Sequence, residues 1–133
     1  MTDDIERFRQ RYRISHEEAL LAAERAALGS DYGGNGYTTM EQAEEIGRRL
    51  ALGPADVLLD IGAGCGWPGL HLASTLGCAV ISTDPIPEGM VVARRRSIAD
   101  RIDDRSWAVS AGAEAIPLRP GSVDAVIHTD VLC

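Results

Sequence analysis

Val57-Leu58-Leu59-Asp60-Ile61-Gly62-Ala63-Gly64-Cys65-Gly66 is the stretch that decides the fold. It opens on an unbroken apolar run, the pattern of a strand buried on both faces of a parallel sheet. An acidic residue and spaced glycines follow. Glycine has no Cβ, so the backbone there can turn tightly and a ligand can lie against it. Pro68, just beyond, suits the first turn of a helix. A helix start presents unpaired N–H groups and the positive end of the helix dipole. The same loop composition without a strand before it and a helix after it reads as an ordinary tight turn; with both, it reads as a ligand-binding βα turn.

Downstream, the alternation continues. The helix is expected to run from about Pro68 to Leu76, with Gly77 as its stop. Ala79-Val80-Ile81 reads as a second strand ending at Asp84-Pro85, and Glu88 to about Ala99 as a second helix. Trp107 to Val109 and Ser122 to His128 read as the third and fourth strands. Short apolar strands separated by helices of this length imply βαβ units on a parallel sheet. Residues 36–133 are expected to form the α/β domain, opened by a helix from the capping-box spacing Thr38–Glu41 through Leu50, closed by Gly53-Pro54. Residues 1–35 read as an N-terminal helical segment and a glycine-rich loop. In it, Ser15 to Glu18 has capping-box spacing, and Gly29 stands as the stop of a small-residue helix. Gly33, Gly34 and Gly36 make the adjoining loop either mobile or a segment of close approach.

Composition sets the class. The chain has 133 residues, 45% apolar and 25% charged, which excludes collagen, coiled coil and gross disorder. Thirteen basic against 20 acidic residues give a net charge of −7, which argues against a general nucleic-acid or anionic-membrane binder. All the basic residues are arginine, which with the abundant Ala and Gly reads as codon composition rather than function. Cys65, Cys78 and Cys133 are odd in number and form no C-x-x-C pair, so neither a disulfide framework nor a structural zinc site is expected, and no metal is called. The N-terminus has no signal-peptide pattern and no run is long enough to span a bilayer. A cytoplasmic, reducing setting is the expectation.

Asp84, at the end of the second strand, is the second acid of the pattern. A carboxylate there can accept both ribose hydroxyls of a nucleoside cofactor, or it can cap the next helix. The dinucleotide fingerprint G-x-G-x-x-G would need a glycine where Trp67 stands. That substitution counts against a nicotinamide-dependent oxidoreductase, the runner-up reading.

With Asp60 two residues before Gly62 and the third glycine at Gly66, the sequence resembles the class I S-adenosylmethionine-dependent methyltransferases, and among them the small-molecule group of the ubiquinone/menaquinone-biosynthesis type. The resemblance rests on Val57–Gly66 with Gly69–Ala73, Ile81–Pro85, Ala113–Leu118 and Gly121–Ile127, in the family's order, over about residues 36–133. It implies a Rossmann-like parallel sheet of strand order 3-2-1-4 with flanking helices. It also implies S-adenosylmethionine as cofactor and in-line methyl transfer to a small-molecule acceptor.

Roles are implied residue by residue. Gly62, Ala63 and Gly64 would lie against the methionine and ribose portion, and Asp60 would order the loop near the cofactor's ammonium. Asp84 would take the ribose hydroxyls, with Pro85 and Ile86 beside the adenine. Ala113 and Glu114 would close over the adenine, and His128 and Thr129 would border the methionine end. The family's frequent aspartate before the Ala-Glu pair is here Gly112, which leaves the adenine contact to backbone groups or Glu114.

No catalytic base is identified. Asp130 is either a substrate- or ammonium-orienting group or an ordinary loop carboxylate, and Tyr37 is a candidate for the rim over the cofactor. Arg94-Arg95-Arg96 reads as a solvated helix face rather than a phosphate site, since successive helical residues point different ways. His16 and His71 read as structural or surface groups. Thr129 to Cys133 continue without helix or cap, so the C-terminal strands of the family fold are expected to be absent and strand four to form an apolar edge. A partner chain covering that edge and a non-catalytic fragment are the two alternatives.

Overall fold

The protein is described by a computed structural model covering residues 2–34 and 36–130. Three helices lead: α1 (Thr2–Ile14), α2 (Glu18–Leu28) and α3 (Met40–Leu50). Strand and helix then alternate as β1 (Val57–Ile61), α4 (Gly69–Leu76), β2 (Ala79–Asp84), α5 (Pro87–Ala99) and β3 (Ser106–Ser110). A 3-10 turn at Ala113–Ala115 precedes β4 (Ala125–Ile127). The four strands form one sheet in the order β3-β2-β1-β4, every pair parallel, as the βαβ pattern requires.

The core grows out of the apolar run. Leu58 of β1 stands opposite Val80 of β2, and both are fully buried. Leu70, Leu72 and Ala73 of α4 pack into the same cluster. Gly47 lets α3 approach α4: a Cβ there would meet Leu72 Cδ2 at 3.1 Å. α1 packs on α5. The two edge strands each carry a half-exposed apolar residue, Trp107 on β3 and Val126 on β4.

Helix ends obey the local signals with three corrections, the first being that α3 is closed by Ala51 at φ 50°, whose N–H returns to Gly47 O, ahead of the expected Gly53-Pro54. Gly29 and Gly77 take the left-handed conformation after α2 and α4, with φ of 78° and 80°. Ser15 does not cap α2. Its hydroxyl donates to Tyr12 O at 2.8 Å, and Glu17 becomes the N-cap without a side-chain bond. Burial decides this, because Ser15 closes α1 inside the protein rather than opening α2 at its surface. The capping box of α3 is Thr39–Gln42, one residue beyond the expected one, with both reciprocal bonds made. Thr38 is drawn away to Asp130. The fourth strand is shorter than the apolar pattern suggested. Gly121, at φ 71°, turns the chain late, and the paired register begins with Leu58 against Ala125.

One glycine inside a helix has a measurable cost attached. A Cβ at Gly89 of α5 would stand 2.6 Å from the Gly64 carbonyl oxygen. Ala normally gains about 1 kcal/mol over Gly in a helix interior. Here the clash is with backbone, and overpacking of this kind costs roughly 1–3 kcal/mol. Gly89→Ala is therefore expected to lower stability in urea unfolding; a gain near the helix-propensity value would mean the loop yields freely.

Candidate functional site

The glycine loop leaves the carboxyl end of β1 with Gly62, Gly64 and Gly66 all at positive φ, 69°, 56° and 99°. A side chain at these positions would be strained. The loop is hydrogen-bonded to its surroundings: Ala63 N donates to Thr83 O at 2.9 Å, and Gly66 O accepts from Leu70 N at 2.8 Å. Asp84, buried at the end of β2, binds the loop directly. Its Oδ2 accepts from Gly64 N and its Oδ1 from Ile86 N, both at 2.9 Å. Burial pushes the Asp84 carboxyl above its ordinary range, while the two amides pull the other way. Asp84 is not the N-cap of α5, which is Ile86 without a side-chain cap bond; its carboxylate instead fixes the turn before the helix through Ile86 N and holds the glycine loop through Gly64 N.

Asp60 lies deeper. It is 1% exposed, and one oxygen accepts from Gly69 N at 3.1 Å. A Cβ at Gly69 would meet that oxygen at 2.5 Å, so only glycine lets the amide come so close. The other oxygen, Oδ1, is buried without a hydrogen-bond partner. Desolvation pushes the carboxyl up to about 8, with the nearby Asp84 charge adding to the rise.

The roof over the loop comes from the N-terminal helices. Tyr12 of α1 packs with Cys65 and Ile86, and a Cβ on Gly64 would stand 3.0 Å from its hydroxyl. Burial and the Asp84 charge hold the Tyr12 phenol well above its usual range. Burial likewise pushes the Cys65 thiol up to about 12, which makes it an inert packing group. Arg9 and Arg13 tie α1 to Glu88 of α5 at 3.7 and 3.1 Å.

The loop between α2 and α3 forms a further wall. Trp67 donates its indole N–H to Thr38 O at 2.8 Å and stacks near Tyr32 and His71, with ring centroids 5.1 and 5.4 Å away. Asp130, just past β4 and at φ 58°, accepts from Thr38 N and Oγ1 at 3.2 and 2.8 Å. Arg96 lies over the Tyr32 ring at 3.7 Å and pairs with Asp31 and Asp100 at 3.0 and 2.8 Å. It is thus a tethered group, and the solvated-face reading of Arg94–Arg96 fails for this residue because Tyr32 and Asp31 reach it from a distant segment while Asp100 holds it from the end of its own helix.

Between α1, this loop and the glycine turn lies a cavity of about 460 Å³. Of the expected site residues, Gly62, Ala63, Gly64 and Thr129 line it, joined by Tyr37 and Asp130. Asp60 and Asp84 stand behind its glycine wall, one with an unpartnered oxygen and the other bonded to Gly64. Pro85, Ala113, Glu114 and His128 are exposed and outside it. The segment before Ala113 is nonetheless tied to the site, since Ala111 N donates to Asp84 O at 3.0 Å. A larger cavity of about 690 Å³ lies along α3 and shares Tyr37, Thr129 and Asp130, but its remaining wall is mostly side chains of α3.

Sequence reasoning missed Arg7, Phe8, Arg11 and Tyr12, which close the cavity from α1. One signal was present. Phe8 is the chain's single phenylalanine, and it stands one helical turn before Tyr12.

The residues present fit a nucleoside cofactor carrying a cationic end. The glycine wall offers room for a ligand against backbone, and the orphaned Asp60 oxygen lies behind it. A family model described as a methyltransferase domain matches residues 59–133, more than half the chain. The chain belongs to the class I S-adenosylmethionine-dependent methyltransferase family.

Solved structures repeat the fold. Geranyl diphosphate C-methyltransferase from Streptomyces coelicolor A3(2), crystallised with Mg2+, geranyl diphosphate and S-adenosyl-L-homocysteine, is 27% identical with a TM-score of 0.62. The match covers 66% of this chain and 33% of that one. YjhP from E. coli is 20% identical with a TM-score of 0.63, covering 90% of this chain and 43% of that one. A methyltransferase from Thiobacillus denitrificans, solved with S-adenosyl-L-homocysteine, is 22% identical with a TM-score of 0.57, covering 68% and 36%. The last two speak to fold alone. This chain spans less than half the length of each of the three. The comparison with curated proteins gives no match. Family membership sets aside the nicotinamide reading, and the packed Trp67 occupies the position its third glycine would need. Among the described residues no helix is long and apolar enough to cross a membrane.

Proposed function

We propose that this chain binds S-adenosylmethionine in the cavity over Gly62–Gly64 and serves methyl transfer to a small-molecule acceptor. The observation that carries the reading is the glycine wall backed by two buried carboxylates, Asp60 and Asp84, at the ends of adjacent parallel strands. The likeness to geranyl diphosphate C-methyltransferase, at 27% identity, supports a small-molecule acceptor. When bound, the cofactor supplies a methyl group on a sulfonium, displaced in line by the acceptor's nucleophile.

The chain's own residues hold and orient. Gly62, Ala63 and Gly64 offer a surface without bulk to the methionine and ribose portion. Asp60, through its unpartnered oxygen, favours the ammonium end, and Asp84 favours the ribose hydroxyls while keeping Gly64 N fixed. Thr129 borders the cavity at the methionine end, while Pro85, Ile86, Ala113, Glu114 and His128 lie outside it and would meet only a part of the cofactor reaching beyond its rim. Tyr12 and Phe8 exclude water from above. Holding reactants in line is worth several kcal/mol of the barrier. The acceptor's requirement for a base depends on its own acidity.

Thermal melting tests the reading. S-adenosylhomocysteine at about a hundred times its dissociation constant adds roughly 2.7 kcal/mol of apparent stability, a rise of about 5–15 °C for a chain of this size. NADH at the same concentration is expected to leave the midpoint unmoved. The reverse pattern would restore the dinucleotide reading.

A further inference from the structure

We propose that Glu24 is a positioning residue for the cofactor cavity: its carboxylate folds the glycine-rich loop after α2 into the wall on which the ligand rests. The inference rests on the cofactor reading and assigns a role to a residue outside the family's matched segment. Four donors converge on this one side chain. Ser30 Oγ and Tyr32 N donate to Oε1 at 2.6 and 3.0 Å, and Gly33 N and Gly34 N donate to Oε2 at 2.8 and 3.1 Å. Three successive backbone amides thus curl around an anion, the concave arrangement that commonly receives a phosphate or carboxylate ligand. Here the protein fills it with its own carboxylate.

The curl fixes Gly33 and Gly34 in place. Gly33 is at φ 73°, and a Cβ on it would come within 2.7 Å of Ser15 Cβ, so the turn both needs glycine and is packed against the end of α1. Gly34 and Tyr37 then stand on the cavity wall. At its far end the loop is held again, by Trp67 and Asp130 on Thr38. A segment this rich in glycine would otherwise sample many conformations, and each ordered residue costs roughly 1–2 kcal/mol of backbone entropy. Charge-assisted bonds to one carboxylate offset that cost before any ligand arrives. A ligand meeting a preformed wall loses less on binding than one that must order it.

Glu24→Gln tests the assignment. The side chain keeps its volume but turns an amino group toward amide donors. Three readings are taken on the whole chain: calorimetric affinity for S-adenosylhomocysteine, hydrogen exchange of the Tyr32–Gly34 amides, and the melting temperature without ligand. The expected result is affinity weakened about tenfold or more, exchange faster by a similar factor, and a melting temperature within a few degrees of the unaltered chain. Ser30→Ala, which removes one donor and leaves the carboxylate, is expected to weaken binding about two- to fivefold and stands in if the first variant does not fold. Loss of amide protection with affinity unmoved in either variant overturns the proposal, as does unchanged protection. Absence of binding by the unaltered chain overturns the cofactor reading and the proposal with it. Binding that is present and indifferent to Glu24 overturns the proposal alone.

Discussion

Asp84→Ala is expected to cost about 2–4 kcal/mol of stability and to weaken S-adenosylhomocysteine binding on the order of a hundredfold. The stability loss comes from the two amides it serves. Gly64 N and Ile86 N each donate to one carboxylate oxygen at 2.9 Å in a buried setting. Alanine leaves both without an acceptor, and a buried donor so abandoned costs roughly 1–3 kcal/mol. The affinity loss has two sources. Gly64 is released from the conformation that makes the cavity wall, and the proposed ribose partner is gone. Asp84→Asn separates them, because the amide oxygen still accepts one of the two N–H groups while the charge is lost. Urea unfolding and calorimetry on both variants check the pair. Unaltered affinity in Asp84→Ala would remove the ribose assignment and leave the structural one.

Asp60 carries the largest effect of pH. Its carboxyl is held at about 8 in the folded chain against an ordinary 3.8. The folded state therefore keeps a proton that the unfolded state has released, across the interval from about pH 4 to about pH 8. Stability falls as pH rises wherever the folded state binds more protons, so Asp60 destabilises progressively through that window and adds no further loss above it. Each unit of displacement is about 1.36 kcal/mol, which puts the full effect at the order of several kcal/mol before water penetration reduces it. Asp60→Asn removes the ionisation. Its oxygen can still accept from Gly69 N, and its amino group replaces the orphaned oxygen. The variant is expected to gain on the unaltered chain steadily between pH 5 and pH 8 in urea titrations. A difference that is flat with pH would mean the buried oxygen is hydrated or paired. Proton release on binding S-adenosylhomocysteine near pH 7 is a companion expectation of the proposed placement, since an ammonium brought beside Asp60 would favour its charged form.

How far the sequence carried these conclusions differs from element to element. The parallel sheet was legible because short apolar runs alternate with helical segments along the chain; its order, β3-β2-β1-β4, was implied only by the resemblance to the family. The helix stops at Gly29 and Gly77 were legible for the same local reason. The capping box at Ser15 was misread because burial outweighed spacing, and the one at Thr38 because Asp130, ninety-two residues away, competes for that threonine. The floor of the site, Asp60, Gly62, Gly64 and Asp84, could be located from order alone. Its roof could not. Tyr12, Glu24 and Asp130 reach the cavity or its wall through packing between distant segments, and no local pattern encodes a contact of that kind. The glycine-rich loop left two readings open, motion or close approach. Its described residues show the close approach: a Cβ on Gly33 would stand 2.7 Å from Ser15 Cβ, and the Tyr32–Gly34 amides donate to the Glu24 carboxylate.

The most direct test of where the cofactor lies is an amide-resolved magnetic resonance titration of the whole chain with S-adenosylhomocysteine. Saturable shifts at Gly62, Ala63 and Gly64, with Gly34 and Gly36 moving at the same ligand concentrations, are the predicted result. Shifts confined to α3 around Glu41–Arg49, or none at concentrations that saturate other methyltransferases, would contradict it.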